Sequence, residues 1–360
     1  MPLMPARFGL HYPLWSHGRH SGDLLDRACG EMGIDHLTIP VVTGPMCQFR
    51  PAWFAGEPYF HTEGGLHFRP DARRYTVAGA RPRMARWLGQ RALLEEVCED
   101  AQRRGLAVWF WVELRRAPSL FEPEPHLAQR SAWGDPAHPP SACISNAAFR
   151  ELLHAVLSDL ETRAPHGFAL HDLALDDLQP IPDSARGTAS ICFCPACRAV
   201  AVEHGVDAEA AARAAQVTLR SAPDWRTART DDPLVEQYAA VRLAACAAAL
   251  HRLIEPLGSG RCLVPADRLQ RSASASPAGF PLCGASGTRA SPPHGSAVYL
   301  PHARFRCRTP VDDREAQALV RDVNEAAAGS GAIDFYDLEE AHPGMVDVLR
   351  QAVRYARRGP

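Results

Sequence analysis

Apolar positions along the chain switch repeatedly between two patterns: short runs of β-branched and aromatic residues, and stretches with apolar side chains three and four apart. Buried strands need the first pattern and amphipathic helices need the second. Residues 7–14 and 34–42 read as strands around a helix at 21–32. In that helix Leu24, Leu25, Ala28 and Met32 share a face, and Gly33 marks its end. Residues 106–114 (LAVWFWVEL) are almost continuously apolar, as a parallel strand covered on both faces must be. Further strands are predicted at 167–173, 261–265, 297–303 and 332–338. Helices are predicted at 84–104, 147–163, 207–221, 233–257, 314–328 and 344–358. Ser145 or Asn146 supplies the N-cap of the helix that begins at Ala147.

Alternation of this kind builds a parallel α/β sheet. A chain of 360 residues suits one (β/α)8 barrel of the TIM type, filling 1–360 as a single domain. Between Leu263 and Val298 only about 35 residues must supply two helices and a strand, where one repeat normally takes about 30. The barrel is therefore expected to be degenerate around its fifth to seventh repeats. The Ser-, Ala-, Gly- and Pro-rich stretch 266–296 is expected to be weakly ordered. Long loops fall at 43–83, 115–145 and 176–205, and excursions of that length usually carry function.

Composition narrows the chemistry. A net charge of −2 argues against a nucleic-acid partner. No apolar run approaches the roughly 20 residues of a membrane span, and residues 1–10 do not read as a signal peptide, so a cytoplasmic location is expected. All 39 of the Lys and Arg residues are Arg. Without lysine there is no Schiff base, no pyridoxal-phosphate anchor and no P-loop.

In parallel barrels the site lies at the carboxyl ends of the strands. Glu113, Asp172, Asp337 and Glu339 are the carboxylates at or just beyond predicted strand ends, and paired carboxylates are what acid/base hydrolysis of a glycoside needs. That chemistry requires no cofactor. His11, Tyr12, Trp111, His171 and Tyr336 accompany them as candidate binding residues, with Arg50 and His61 from the loop at 43–83. The aromatics of that loop suit stacking on sugar faces, or else packing among themselves. His171 and Asp172 are neighbours on one strand, so only one of them can face the barrel axis. Asp172 is favoured as the catalytic group and His171 as a binding residue.

The segment 191–198 (ICFCPACR) places Cys192, Cys194 and Cys197 together. Thiolates at this spacing can chelate zinc, which wants four ligands. Cys143, Cys47 or His204 could supply the fourth. A structural zinc, a local disulfide and free thiols all stay open.

Several stretches resemble the glycosyl-hydrolase-like, family-10-like (β/α)8 barrel proteins of bacteria. They are EGGLHFRPDARRY with RRGLAVWFWVELR, CISNAAFRELLHAVLSDLETRAPHGFALHD, CFCPACR and the closing AIDFYDLEEAHPGMVDVLRQAVRYAR. The resemblance covers roughly residues 7–260 and 311–358, and it implies a barrel acting on carbohydrate. Relatives tend to carry an acidic residue where this chain has His171. Retaining enzymes of the best-known clan use carboxylates after strands four and seven, yet AVYLPHARF offers none. Three readings remain. The first is a glycoside hydrolase, and the second is an inactive hydrolase-like barrel that binds sugar or a partner. The third is a metal-dependent sugar isomerase or lyase with His11, Glu113 and His171 as ligands, which would act on a small polar substrate.

Overall fold

The computed structural model describes residues 7–17, 25–49, 59–75, 82–113, 125–137, 141–171, 191–224, 228–258, 261–265, 282–285, 297–300, 313–329, 332–335 and 343–358. Its strands are β1 (Arg7–His11), β2 (His36–Thr43), β3 (Met46–Phe49), β4 (Tyr59–Thr62), β5 (Gly65–Leu66), β6 (Ala107–Glu113), β7 (Gly167–His171), β8 (Cys262–Pro265), β9 (Leu282–Ala285), β10 (Ala297–Leu300) and β11 (Ala332–Phe335). Its α-helices are α1 (Leu93–Arg103), α2 (Ala147–Glu161), α3 (Pro195–Glu203), α4 (Ala208–Ser221), α5 (Pro233–Ile254), α6 (Asp313–Gly329) and α7 (Pro343–Arg358).

β1 pairs in parallel with both β2 and β11. From β2 the parallel ladder passes through β6, β7, β8, β9 and β10 to β11. The result is a curled parallel sheet with helices packed outside it, a TIM-like α/β fold. Among the described residues no helix is long and apolar enough to cross a membrane.

Period-two alternation gives the sheet two different faces. Phe8, Leu10, Phe110, Phe168 and Phe335 point outward and are buried. The Arg357 guanidinium of α7 lies 5.6 Å from the Phe8 ring centre, which fixes that face as the helix side. The alternate positions of β1, β2 and β11 place Gly9, His36, Thr38 and Asp334 on the inner face. There His36 Nε2 lies 2.9 Å from Asp334 Oδ1, and the Thr38 hydroxyl donates to the same oxygen at 3.0 Å. A carboxylate as deeply buried as Asp334 is tolerable only with such partners. Gly9 pairs in register with both His36 and Asp334, and any Cβ on it would collide with both side chains.

The seven predicted strands all form within the described residues. Asn146 caps α2 by accepting from the backbone N–H groups of Ala148 and Phe149. Four local expectations are corrected. The loop at 43–83 contains the antiparallel β3–β4 hairpin, and β5 pairs antiparallel with the end of β2. The helix expected over 84–104 is instead a 3-10 turn at Arg86–Leu88 followed by α1, because the chain turns at Gly89 with φ 58°. The loop at 176–205 holds α3, begun by Pro195 in the first turn, where a missing N–H costs nothing. The stretch 266–296, expected to be weakly ordered, contains β9, which pairs with β8 and β10 and supplies the strand missing from the sequence reading. Four residues between Gly- and Ser-rich flanks are too short for periodicity to register.

Gly9→Ala should destabilise the protein by about 1–3 kcal/mol, the usual cost of forcing a methyl into a filled interior. Urea denaturation of the two proteins measures it, and an unchanged midpoint would contradict the inner-face packing.

Candidate functional site

A parallel sheet brings all its strand carboxyl ends to one side, and there the inner face changes character. His11 closes β1 and meets Trp111 of β6 edge to face, with ring centres 5.3 Å apart. Both are buried. Two residues beyond Trp111 on the same face, Glu113 ends β6, and its Oε2 accepts the Gly44 backbone N–H at 2.8 Å. In register Glu113 stands opposite His171 of β7. The half-buried carboxylate is thus held at the rim by the segment that follows β2.

That segment is clamped by aromatic packing. Trp15, from the 3-10 turn after β1, stacks on Phe60 of β4 at 4.8 Å and donates its indole N–H to Gln48 of β3. Trp87 packs edge-on against both rings. His67 sits fully buried among them, and burial alone lowers its pKa to about 3. Phe60 and His67 therefore pack within this aromatic cluster, while Phe68 joins the main core beneath the Arg163 guanidinium. On the opposite face of the hairpin Tyr59 and His61 are exposed, with their rings 6.4 Å apart, and Cys47 lies 3.7 Å from His61 Nε2.

The second cluster joins the segment that leads from β6 into α2 to the segment that leads from β7 into α3. Cys143, Cys192, Cys194 and Cys197 are all buried, and their sulfur atoms lie within 4.8 Å of one another. Cys194 and Pro195 open α3, which brings Cys197 back toward Cys192, while Cys143 arrives from the segment before α2. Tyr238 of α5 stacks on Phe193 at 4.5 Å and donates its hydroxyl proton to the Cys192 carbonyl. Arg242, also on α5, is fully buried beside the cluster. Hydrogen bonds from Cys143, Cys192 and Cys194 hold the Cys197 thiol well below its usual range. Burial pushes Cys192 up.

Four sulfurs arranged around a metal with bonds of about 2.3 Å would stand about 3.8 Å apart, so the cluster has the dimensions and the donors of a metal site. Cys143 completes the set. Cys47 is exposed on the hairpin and His204 lies past the end of α3, so neither takes part.

Of the other residues singled out from sequence, Tyr12 is fully buried, with its hydroxyl 3.2 Å from His17 Nδ1. Arg50, Asp172, Tyr336, Asp337 and Glu339 lie outside the described residues, as does the His171 side chain. Sequence reasoning passed over Thr43, Gly44 and Trp87. Their only signal was their place around the long loop, which says nothing about which atoms meet.

No protein-family profile matches the chain, and neither does any curated protein sequence. Solved structures do match in fold. Alpha-L-fucosidase isoenzyme 2 from Paenibacillus thiaminolyticus aligns with a TM-score of 0.50 at 12% identity, over 98% of this chain and 49% of that one. The beta-galactosidase from Bacillus circulans sp. alkalophilus aligns with a TM-score of 0.54 at 8% identity, over 98% of this chain and 56% of that one. The chain spans about half the length of these structures. At such identities the likeness is one of fold alone.

His67 makes stability depend on pH. Its folded pKa of about 3 lies below the ordinary 6.5, so the unfolded chain binds the extra proton between those values. The stability it contributes is complete above about pH 6.5 and is lost as pH falls toward 3, at up to about 1.4 kcal/mol per pH unit. Urea denaturation of wild type and His67→Phe across this range should give a shallower pH dependence for the variant.

Proposed function

We propose that the chain is a glycoside hydrolase built on a single complete (β/α)8 barrel, with Glu113 as one of its two catalytic carboxylates. The succession of parallel pairings from β1 through β2, β6, β7, β8, β9, β10 and β11 back to β1 supports the barrel. The observation that carries the function is Glu113 itself, a carboxylate at the carboxyl end of the third barrel strand. It is anchored by Gly44 and shares its face with Trp111. Its partner is Asp172, Asp337 or Glu339, which follow β7 and β11 in sequence. A separation of about 5–5.5 Å between the two carboxyls would give retention, and about 6.5–9.5 Å inversion. His11, Trp111, His171 and Tyr336 would bind the sugar from strand ends, and Arg50 and His61 from the loop, while Tyr12, fully buried, would support His11 rather than touch substrate. The enzyme names of the matching structures, a fucosidase and a galactosidase, are in keeping with a carbohydrate substrate.

One observation favours a second reading, a barrel that binds sugar without cleaving it. β10 is the seventh strand of the ring, and the sequence from Ala297 to Phe305 contains no carboxylate.

We assign the four-thiol cluster to a structural zinc. Four protein ligands close a tetrahedral site and leave no position for substrate. The ion would tie the segment that leads from β6 into α2 to the one that leads from β7 into α3.

Two measurements test these assignments. General acid–base catalysis contributes a factor of about 10²–10⁴, so Glu113→Gln should lower turnover of an aryl-glycoside panel by that much. Asp172→Asn should do the same if Asp172 is the partner. Binding of oligosaccharides with no turnover by wild type would replace hydrolysis with the second reading. Elemental analysis of the purified protein should find about one equivalent of zinc, and Cys143→Ser should no longer retain it through gel filtration.

A further inference from the structure

Glu113 Oε2 accepts the N–H of the Thr43–Gly44 peptide, and the orientation of that peptide is itself determined. Trp87 Nε1–H lies 3.1 Å from His67 Nδ1, and an indole N–H can only donate. His67 Nδ1 is therefore the ring's acceptor. In a fully buried, neutral imidazole the proton must then be on Nε2. Nε2–H faces Thr43 Oγ1 at 2.8 Å and donates to it. The Thr43 hydroxyl proton is thereby directed elsewhere, and it meets the Gly44 carbonyl at 3.0 Å. From the other side Gly64, at φ 78°, presses its backbone so close that a Cβ would stand 2.5 Å from the Gly44 carbonyl carbon and from the Thr43 oxygen. Gly64 is fixed in turn by donating its N–H to Thr62 Oγ1. Gly44 then points its N–H at Glu113.

We infer that His67 is a positioning residue for Glu113. It acts through the Thr43 hydroxyl, whose bond to the Gly44 carbonyl closes a ring over the Thr43–Gly44 peptide, and the N–H of that peptide holds the carboxylate at one place on the rim. Every donor in the series has one acceptor, and the direction of the whole series follows from the indole. A buried histidine in an aromatic cluster would serve packing equally well if it were phenylalanine. What the ring nitrogens add is an orientation passed on to a group they do not touch. The significance for catalysis rests on the proposed role of Glu113, but the relay can be read without any substrate.

Thr43–Gly44 is the only Thr–Gly pair in the chain. Full-length protein carrying carbonyl-13C threonine and 15N glycine therefore gives one HNCO peak, that of the Gly44 amide. Glu113→Gln should move this peak upfield and mark the effect of losing the charged acceptor. His67→Phe, which keeps a ring in the cluster, should move it in the same direction. His67→Gln, whose side-chain amide can still donate to Thr43, should leave it close to wild type. Thr43→Val keeps the volume and removes the hydroxyl, and it creates the only Val–Gly pair in that variant, so the same peak can be followed with carbonyl-13C valine. It should match His67→Phe.

The inference is overturned if His67→Phe and Thr43→Val leave the peak in place while Glu113→Gln moves it. It is also overturned if His67→Gln displaces the peak more than His67→Phe, the order expected from packing alone. Failure of Glu113→Gln to affect glycoside turnover would count against the catalytic reading and leave this NMR comparison untouched.

Discussion

Parallel strand pairing is the constraint on which the rest of this molecule depends. A parallel strand cannot follow its neighbour through a tight turn, so each must be reached by a crossover that returns the chain to the same end. All carboxyl ends then gather on one side. Residues as far apart in sequence as His11, Gly44 and Glu113 become neighbours there, while the helices bury the opposite face of each strand. The crossovers at the site end are also where long excursions can be inserted without disturbing the ladder. The β3–β4 hairpin and the segment carrying Cys192, Cys194 and Cys197 both occupy such positions.

Long insertions cost conformational entropy, and the structure offsets this in two chemically different ways. The hairpin is held by apolar stacking of Trp15, Phe60 and Trp87 around a buried neutral imidazole. The segment after β7 is held through four buried thiols and one wall of α5. Around them Ala201, Ala211, Ala215 and Val235 form a small core separate from the main one. Small alanine faces bring α3, α4 and α5 close but bury little area per residue. That is the situation in which a cross-link through metal contributes most.

The inner face carries a comparable tension. His36, Thr38 and Asp334 put a hydrogen-bonded polar group where a hydrophobic layer would be simpler to build. A buried polar group is costly unless its partners satisfy it. Its geometric consequence is firm, since β1 passes between β2 and β11 only because Gly9 has no side chain there. The polar layer beneath the rim and the hydrogen-bond series above it fix different parts of the same site, one through a strand and the other through a loop.

The sequence alone determined the parallel α/β class, most strands and helices, a cap at Ser145 or Asn146 and the three clustered cysteines. These depend on local periodicity and on spacings of a few residues, which any reader of the chain can see. It left β9 unrecognised, because four residues do not establish a period, and it treated Cys143, Cys47 and His204 as equal candidates for the fourth ligand. Only the tertiary structure brought Cys143 beside the other three thiols, since that depends on which crossover passes next to α3. The same holds for Glu113. Its position at a strand end was legible, but its anchoring by Gly44, and the orientation of that peptide through Thr43, His67 and Trp87, required the packing of four separate segments. Periodicity records which face a residue occupies. Which atoms meet across the fold is settled by long-range packing, and no local pattern encodes it.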